Sequence, residues 1–160
     1  MDIDLTTPAL RAIRRILRAS DLGGRRVAAA TGLTPSQLLV LQEIDRCEET
    51  TPSAIAQALQ FGQATVTNVV DRLEDAGLAS RRRSQGDKRK MLLRVTPKGR
   101  GVLDAAPDLL QASFSERFGK LPAWEQAMIL SALERLSELL EVADMDAAPL
   151  IDAGAIDRPA

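Results

Sequence analysis

The hydrophobic period of this chain changes at Gly77, and that change limits the folds available to it. Before Gly77, the stretch "QFGQATVTNVVDRLEDAG" places four apolar residues at helical spacing: Val66, Val69, Val70 and Leu73. After Gly77, "LASRRRS" and "RKMLLRVT" flank the turn residues "QGD", a pattern typical of a β-hairpin. The sequence therefore predicts a helix over residues 63–76, ended by a glycine and followed at once by two antiparallel strands.

Two helices are predicted upstream by repeated Thr-Pro starts. "TPSQLLVLQEI" offers Thr34 as N-cap, proline at the first helical position and Gln37 for a capping box, which predicts a helix over residues 34–47. "TPSAIAQAL" repeats the start at Thr51 and predicts a helix barely two turns long. Both threonines are interpreted first as caps. The short helix, a turn containing Gly62 and the next helix make a helix-turn-helix.

Amphipathic patterns at both ends of the chain predict further helices. Residues 8–30 begin with Pro8 and combine apolar positions with an arginine face of Arg11, Arg14, Arg15 and Arg18. This face is interpreted as solvated or paired with the acidic C-terminal segment, rather than as an effector site. A helix over residues 97–118 is predicted to bend at Pro107.

The last predicted helix begins near Pro122 and carries a heptad-like seam of Ile129, Leu133, Leu136 and Leu140. In a chain of 160 residues with so many terminal leucines, this seam favours a dimer contact over burial within one copy. The predicted fold class is mainly α with a small β-hairpin wing. The predicted organisation is a dimerisation helix over 1–30, a winged helix-turn-helix domain over 31–100, dimerisation helices over 101–143 and a tail over 144–160.

The charge of the chain is concentrated in its middle, although the formal net charge is only −1. Residues 62–100 carry ten basic and four acidic side chains, whereas residues 101–160 carry four basic and eleven acidic ones. A polyanion would therefore meet the middle segment and be repelled by the last one. The helix over 63–76 also offers side chains that can bond to base edges or phosphates: Gln63, Thr65, Asn68 and Arg72.

These segments together resemble the MarR family of winged helix-turn-helix regulators. The resemblance covers about residues 33–103 and is carried most specifically by "RLEDAGL", by the "GDKR" of the hairpin and by "LRVTPKGR". It implies a homodimer whose terminal helices interlock and whose two winged domains bind palindromic double-stranded DNA. In the family, a small molecule often occupies a cleft between the dimer helices and the winged domain.

The resemblance also assigns roles to residues. Ala64, Thr65, Asn68 and Arg72 lie on the helix that looks like the major-groove reader, although Asn68 stands where some members have Arg. Arg89 matches the wing arginine that enters the minor groove, and Asp87 matches the acid that holds it. Lys88 stands where many members have Arg. The other hairpin cations are expected to contact phosphates together with Lys88: Arg81, Arg82, Arg83 and Lys90.

The sequence thus predicts a MarR-like transcriptional regulator, a repressor, that binds duplex DNA as a homodimer. Either a small-molecule effector of unknown identity releases it, or it acts without a ligand. The alternative from another class is a winged-helix module whose basic hairpin binds an acidic partner protein. A steep dependence of DNA binding on salt would separate the two, because counterion release is characteristic of a dense polyanion.

Several other classes are disfavoured by the sequence. There is no His, no nucleotide-binding loop and no Ser or Cys with a recognisable activating base, so a non-enzyme with no cofactor and no metal site is expected. Cys47 is interpreted as structural, because Glu48 and Glu49 would raise its pKa. The acidic start lacks the features of a signal peptide and no apolar run approaches a membrane span, which predicts a cytoplasmic protein.

Overall fold

The structure is a computed structural model that describes residues 4–47, 49–84, 86, 90–108 and 110–145. Its described helices and strands follow one another as α1 (Thr6–Thr31), α2 (Pro35–Arg46), α3 (Pro52–Leu59), α4 (Gln63–Asp75), β1 (Ala79–Arg83), β2 (Met91–Val95), α5 (Pro97–Ala105), α6 (Leu110–Phe118) and α7 (Ala123–Leu139). This is the predicted fold class, helices with one two-stranded antiparallel hairpin.

The predicted caps are present at the starts of α2 and α3. The Thr34 hydroxyl accepts a bond from the Gln37 N–H at 3.3 Å, and the Gln37 side chain accepts one from the Thr34 N–H at 2.9 Å. The Thr51 hydroxyl accepts from the Ala54 N–H at 3.2 Å. Thr96 caps α5 in the same way, with the Gly99 N–H 3.0 Å from its hydroxyl oxygen. Each cap satisfies a backbone donor that the first helical turn cannot satisfy itself.

Helix α4 ends as the sequence predicts. Gly77 adopts a positive φ of 70°, and its N–H bonds to the Glu74 carbonyl while the Leu78 N–H bonds to the Leu73 carbonyl, both at 2.8 Å. Glycine adopts this conformation without the steric cost of a side chain, so the chain turns directly into the hairpin. On the other edge of β2, Thr50 forms an isolated antiparallel bridge with Leu93.

The hydrophobic core lies in the central part of the chain. Fifteen buried apolar residues, from Val27 to Leu93, form one cluster that joins α2, α3, α4 and the hairpin. Leu38, Leu41, Ile44 and Leu73 are among its largest fully buried side chains. Partly buried Val102, Leu103 and Ala106 of α5 and its C-cap pack against it, so α5 is fixed to the same core.

Close contact between α5 and the hairpin is possible only because residue 99 is glycine. A Cβ at Gly99 would lie 2.1 Å from the Leu78 carbonyl oxygen and 2.8 Å from Cγ1 of Val95. The first of these atoms belongs to the backbone, so no side-chain rotation relieves the clash. The missing side chain of Gly99 thereby allows the start of α5 to lie against Leu78, just before β1, and against Val95, at the end of β2.

One predicted helix is divided in two. The sequence predicts a bent helix over residues 97–118, but α5 ends at Ala105 and α6 begins at Leu110. The prediction of a bend was wrong because Pro107 disfavours the helical conformation of the residue before it, and Ala106 is extended with ψ 136°. At the other end of the chain, α1 begins at Thr6 and not at Pro8. Pro8 lies in the first turn, where its missing N–H costs no helical bond.

The terminal helices leave much apolar surface uncovered. Helix α7 has no buried residue, and Leu133 and Leu140 of the predicted seam are 43% and 50% exposed. Ile129 and Leu136 are half-buried. Phe114 and Phe118 stack on each other along α6, with ring centroids 5.0 Å apart. Among the described helices, none is long and apolar enough to span a membrane. The predicted tail lies outside the described residues from position 146 onward.

Candidate nucleic-acid interface

Helix α4 presents a polar face to solvent directly before the hairpin. Its apolar side is buried in the core, whereas Gln63, Ala64, Asn68 and Arg72 are exposed and Thr65 is half-buried. Within the described part of the chain, the Asn68 amide and the Arg72 guanidinium have no hydrogen bond or ion pair. Both groups are therefore available to base edges or phosphates, because no internal bond has to be broken first.

Two residues that the sequence reasoning missed adjoin this face. The Gln63 side-chain nitrogen donates a hydrogen bond of 2.9 Å to the hydroxyl of Ser53, which links the starts of α3 and α4. Thr67 is exposed next to Asn68, and its hydroxyl donates to the Gln63 carbonyl at 2.9 Å. Ser53 directly follows the Thr-Pro start of α3, so its place near a helix N-terminus was the available signal. Its proximity to Gln63 depends on the turn between the helices.

The hairpin register places its arginines on opposite faces. Arg81 pairs with Leu93, which is fully buried, while Arg82 pairs with Leu92 and Ser80 with Arg94. Because side chains alternate along a strand, Arg81 points toward α4, and Arg82 and Arg94 share the outer face. The sequence pattern gave the two strands but not this division.

The inner arginine is bound by acidic residues of α4. Arg81 Nη2 lies 2.5 Å from Asp71 Oδ1, and its Nη1 lies 3.2 Å from Glu74 Oε2. The Arg81 backbone N–H also donates to Glu74 Oε1 at 3.1 Å. The guanidinium predicted to contact phosphate is thus engaged by two carboxylates within the chain.

The outer face also carries an acidic residue, Glu49, which the sequence reasoning did not place near the hairpin. The Glu49 carboxylate bonds to Arg94 and lies 3.1 Å from Arg82 Nη2. Glu49 reaches them because the bridge between Thr50 and Leu93 lays this segment along β2. Arg94 had no assigned role, although it lies in the "LRVTPKGR" motif. All three side chains are roughly half-exposed, so water weakens their mutual attraction.

The cations at the end of the hairpin have fewer polar contacts with described residues than Arg81, Arg82 and Arg94 have. Arg83 and Lys90 are exposed, and neither has an ion pair or side-chain hydrogen bond to another described residue. The Ser84 N–H donates to the Lys90 carbonyl at 3.0 Å, so the two strands remain paired at this end. Asp87, Lys88 and Arg89 lie outside the described residues, so the minor-groove role of Arg89 and the support from Asp87 stay predictions.

Cys47 is a half-buried thiol at the C-cap of α2. Partial burial raises its pKa, and a 3.5 Å hydrogen bond to the Glu43 carboxylate raises the pKa further. The predicted direction is confirmed, but the described cause is Glu43 and not Glu49. The Arg46 guanidinium holds Glu43 ionised by lowering the pKa of that carboxyl. A thiol beside a carboxylate stays protonated at neutral pH, which makes it a poor nucleophile.

The other features of the described residues are modest. No group of three His, Cys, Asp or Glu side chains there is arranged to hold a metal ion. A shallow, open cavity lies between α2, β2 and α5, lined by Ile44, Asp45, Arg94, Val95 and Arg100. Arg100 and Asp45 form an ion pair of 2.8 Å in its wall.

A helix-turn-helix followed by a basic antiparallel hairpin defines the winged-helix class of DNA-binding proteins. The sequence profile of the MarR family matches residues 31–90, which include α2, α3, α4 and β1. This part of the chain is therefore similar to the MarR family, and the match and the fold together indicate a DNA-binding transcription regulator.

Three known proteins share this similarity. An uncharacterised HTH-type transcriptional regulator of Bacillus subtilis, YdgJ, is 27% identical over 71% of this chain and 69% of its own. A putative regulatory protein for the hcr operon of Thauera aromatica is 28% identical over 70% of this chain and 68% of its own. The solved structure of a C80S mutant of MarR from E. coli, in complex with operator DNA, has a TM-score of 0.57 at 25% identity, covering 85% of this chain and 99% of that one.

Proposed function

We propose that the protein is a repressor that binds palindromic duplex DNA as a homodimer and is released by a small-molecule effector. The observation that supports the DNA-binding surface is that the solvent-facing polar side of α4 lies beside the exposed cations of the hairpin. Such a protein acts in the cytoplasm, alongside the DNA that it binds.

In this proposal, α4 enters the major groove and the hairpin follows the adjacent backbone. Gln63, Ala64, Thr65, Asn68 and Arg72 face the bases and the phosphates at the edge of the groove. Arg82, Arg83, Lys88 and Lys90 contact phosphates and contribute affinity without sequence information. Arg89, held by Asp87, enters the minor groove, whose narrowness over A·T steps favours an inserted arginine.

The homodimer is supported by the terminal helices. Residues 1–30 and 101–143 contribute large exposed apolar side chains, among them Leu10, Leu17, Phe114, Trp124 and Leu133. Exposure of so many large apolar side chains is costly in water unless a second copy covers them. The acidic C-terminal segment also complements the exposed arginine face of α1 electrostatically.

Repression is the simplest consequence of this binding mode. MarR from E. coli is crystallised on operator DNA, and the Thauera aromatica relative is named for the operon that it regulates. A dimer seated over a promoter excludes other proteins from the same groove surfaces. Transcription in vitro from a promoter that overlaps the bound site should therefore fall as protein is added, and a rise would contradict repression.

An effector releases such a repressor only if it binds the DNA-incompetent dimer more tightly than the competent one. A ligand between the dimer helices and the winged domains would change the spacing of the two α4 helices. A screen of small aromatic acids by thermal shift, followed by DNA release, tests this step. Compounds that stabilise the protein without loosening DNA would contradict release by that route.

The DNA geometry is tested by selecting duplexes from a random pool with the wild-type protein and footprinting the winners. Two identical reading helices on one face of the duplex require two-fold symmetric half-sites with centres about 10 base pairs apart. Inserting about five base pairs at the dyad rotates one half-site to the opposite face and should abolish tight binding. An asymmetric footprint, or indifference to the insertion, would contradict the dimeric reader.

The hairpin roles are tested by single substitutions at several salt concentrations. Lys88→Ala and Lys90→Ala should weaken binding to selected and scrambled duplexes alike, and should lower the salt slope by about one unit per lost contact. Arg89→Ala should cost about 1 to 3 kcal/mol and lose preference for the bases under the wing. Asp87→Ala should reproduce part of that loss. Tighter binding by Asp87→Ala would show that the acid only repels DNA.

A further inference from the structure

Arg81 differs from the other described cations of the hairpin because its guanidinium binds carboxylates of α4. It contacts both Asp71 and Glu74, and its side chain is 25% exposed, compared with 51% for Arg82 on the opposite face. To reach a phosphate, its guanidinium would have to leave two carboxylates and a partly buried position. Charge-assisted bonds of this kind are the stronger hydrogen bonds in proteins, so that exchange offers little net gain.

The end of α4 requires positive charge from elsewhere in the chain. Its last five residues include three acids, Asp71, Glu74 and Asp75, at the helix end where the backbone dipole already favours cations. Two residues outside the helix provide the compensation: Arg81 binds two of the acids, and the Lys98 ammonium donates to the Ala76 carbonyl at 2.7 Å. The charge of Arg81 therefore compensates negative charge at the C-terminal end of α4.

The position of Asp71 connects this end to the reading face. Asp71 lies three residues after Asn68 and next to Arg72, so it projects near the polar face of α4. Its side chain is 48% exposed, and without Arg81 its carboxylate would be an unpaired negative charge close to the DNA. Since Arg81 also belongs to β1, the ion pairs connect the hairpin to α4 in addition to the core contacts between them.

We propose that Arg81 is a positioning residue that holds the reading helix at a fixed angle to the wing and neutralises Asp71, and that it does not contact phosphate. The inference rests on the proposed contact of α4 and the hairpin with DNA. Sequence preference requires α4 and the hairpin to fit two neighbouring grooves at the same time. It therefore depends on Arg81. Non-specific attraction to DNA depends instead on the free cations.

The experiment uses the full-length protein, the duplex that wild type selects from a random pool, and a scrambled duplex of the same composition. Four variants are compared with wild type: Arg81→Ala, Asp71→Asn, the double variant and Arg83→Ala. Arg83 is the matched control, because it lies on the same strand, is exposed and has no ion pair to any described residue. Affinity is measured at several salt concentrations, and thermal unfolding is recorded for each variant.

Arg81→Ala should weaken binding to the selected duplex by about tenfold, the effect of a coupling energy usual for contacting side chains. It should weaken binding to the scrambled duplex much less, through repulsion from the unpaired Asp71 carboxylate alone, and should leave the salt slope nearly unchanged. Asp71→Asn should also lower the preference for the selected duplex. The double variant should be no worse than Arg81→Ala alone, since the two residues act as a unit. Arg83→Ala should weaken binding to both duplexes and lower the salt slope by about one unit.

A direct phosphate contact predicts a different pattern. Arg81→Ala would then resemble Arg83→Ala on both duplexes, and Asp71→Asn would free the guanidinium, tighten binding and steepen the salt slope. Either result overturns the positioning role. If Arg81→Ala does not fold, Arg81→Lys replaces it: a single ammonium should serve a phosphate fully but cannot span two carboxylates. Undiminished preference for the selected duplex in Arg81→Lys would therefore also overturn the inference.

Failure of the proposed function has a separate signature. If Arg83→Ala and Asn68→Ala bind both duplexes as wild type does, then α4 and the hairpin are not the DNA surface. If they weaken binding as expected while Arg81→Ala merely repeats the Arg83→Ala pattern, the DNA surface is correct and only the role of Arg81 is wrong.

Discussion

The winged part of the chain buries its apolar residues within one copy, whereas the terminal helices do not. All fifteen residues of the buried apolar cluster lie between Val27 and Leu93. Ten of the seventeen residues of α7 are apolar, yet none is buried, and Leu130, Leu133 and Leu139 are exposed along it. The winged part therefore has the core that a folded unit requires, whereas in the proposed homodimer a second copy covers the terminal helices.

The difference shows that apolar content alone does not locate a core. The winged part buries its leucines because short helices with different directions meet around them, each stopped by a cap, a glycine or a tight turn. Helices α1 and α7 are longer than α2, α3 and α4, and Pro107 and Pro122 separate the helices that follow the hairpin, so their apolar faces meet few others in the same copy. Substitutions in each part should therefore reveal whether the two parts depend on different partners.

The largest effect is expected for Leu133→Asp and Leu136→Asp. Each would place an unpaired carboxylate in the dimer contact, at a cost of several kcal/mol that occurs twice per dimer. Sedimentation should show monomers where wild type shows dimers. Ser131→Asp introduces the same charge on the opposite side of α7 and should stay dimeric. Unchanged dimers in both leucine variants would show that α7 does not form the seam.

Leu38→Ala should lower the free energy of unfolding by about 2 to 5 kcal/mol, because Leu38 is fully buried in α2 and the cavity would not refill. The loss should appear at every protein concentration, since the core lies within one copy. Wild-type stability should rise with concentration through the dimer contact. Denaturant unfolding at two concentrations measures both. A loss for Leu38→Ala that vanishes at high concentration would contradict a self-contained core.

Thr34→Ala should lower the free energy of unfolding by about 1 kcal/mol, because it removes the capping box at the start of α2. Thr34→Ser keeps the hydroxyl and should retain most of the stability. Thermal unfolding compares the two variants. Equal losses for both would indicate that the threonine methyl group, and not the cap, supports α2.

The smallest effect is expected for Glu138→Gln in α7, whose carboxylate lies 2.7 Å from Arg135 Nη1 on the exposed surface. Such surface pairs contribute about 0.3 to 0.5 kcal/mol, so neither stability nor the dimer should change noticeably. Thermal unfolding and sedimentation check this. A marked loss would mean that charged contacts of α7, and not its leucines, hold the dimer.

Most of the fold followed from local signals in the sequence. Thr34 and Thr51 cap their helices by accepting a hydrogen bond from a residue three positions later, and Gly77 ends α4 by its own positive φ. The apolar residues from Val66 to Leu73 are recognisable by their helical spacing. Each of these structures is therefore determined by neighbouring residues in the sequence. The division of α5 from α6 was missed because helical spacing continues past Pro107. The conformation of Ala106, which decides the outcome, is set by the ring of the following proline.

Less of the candidate site followed from the sequence. The exposed positions of Asn68 and Arg72 could be predicted, because they oppose the buried face of the same helix. The partners of the hairpin arginines could not. Arg81 meets Asp71 only through the turn at Gly77, and Arg82 meets Glu49 across 33 residues of chain. Counting charges gave the sign of the surface, but the division between free and engaged cations depends on tertiary packing.

Gly99 has a consequence for redesign of this regulator. Its missing side chain leaves the start of α5 in contact with the Leu78 carbonyl, where even one methyl group would meet backbone. Retargeting the protein to new DNA by varying the solvent-facing side chains of α4 and the hairpin can proceed around this point, provided that Val95 of β2, which packs against Gly99, is kept. A library that also varies residue 99 would lose nearly every member that is not glycine, whichever operator is used for selection. Gly99 of the "PKGR" motif is thus a position at which the contact between α5 and the wing does not tolerate substitution.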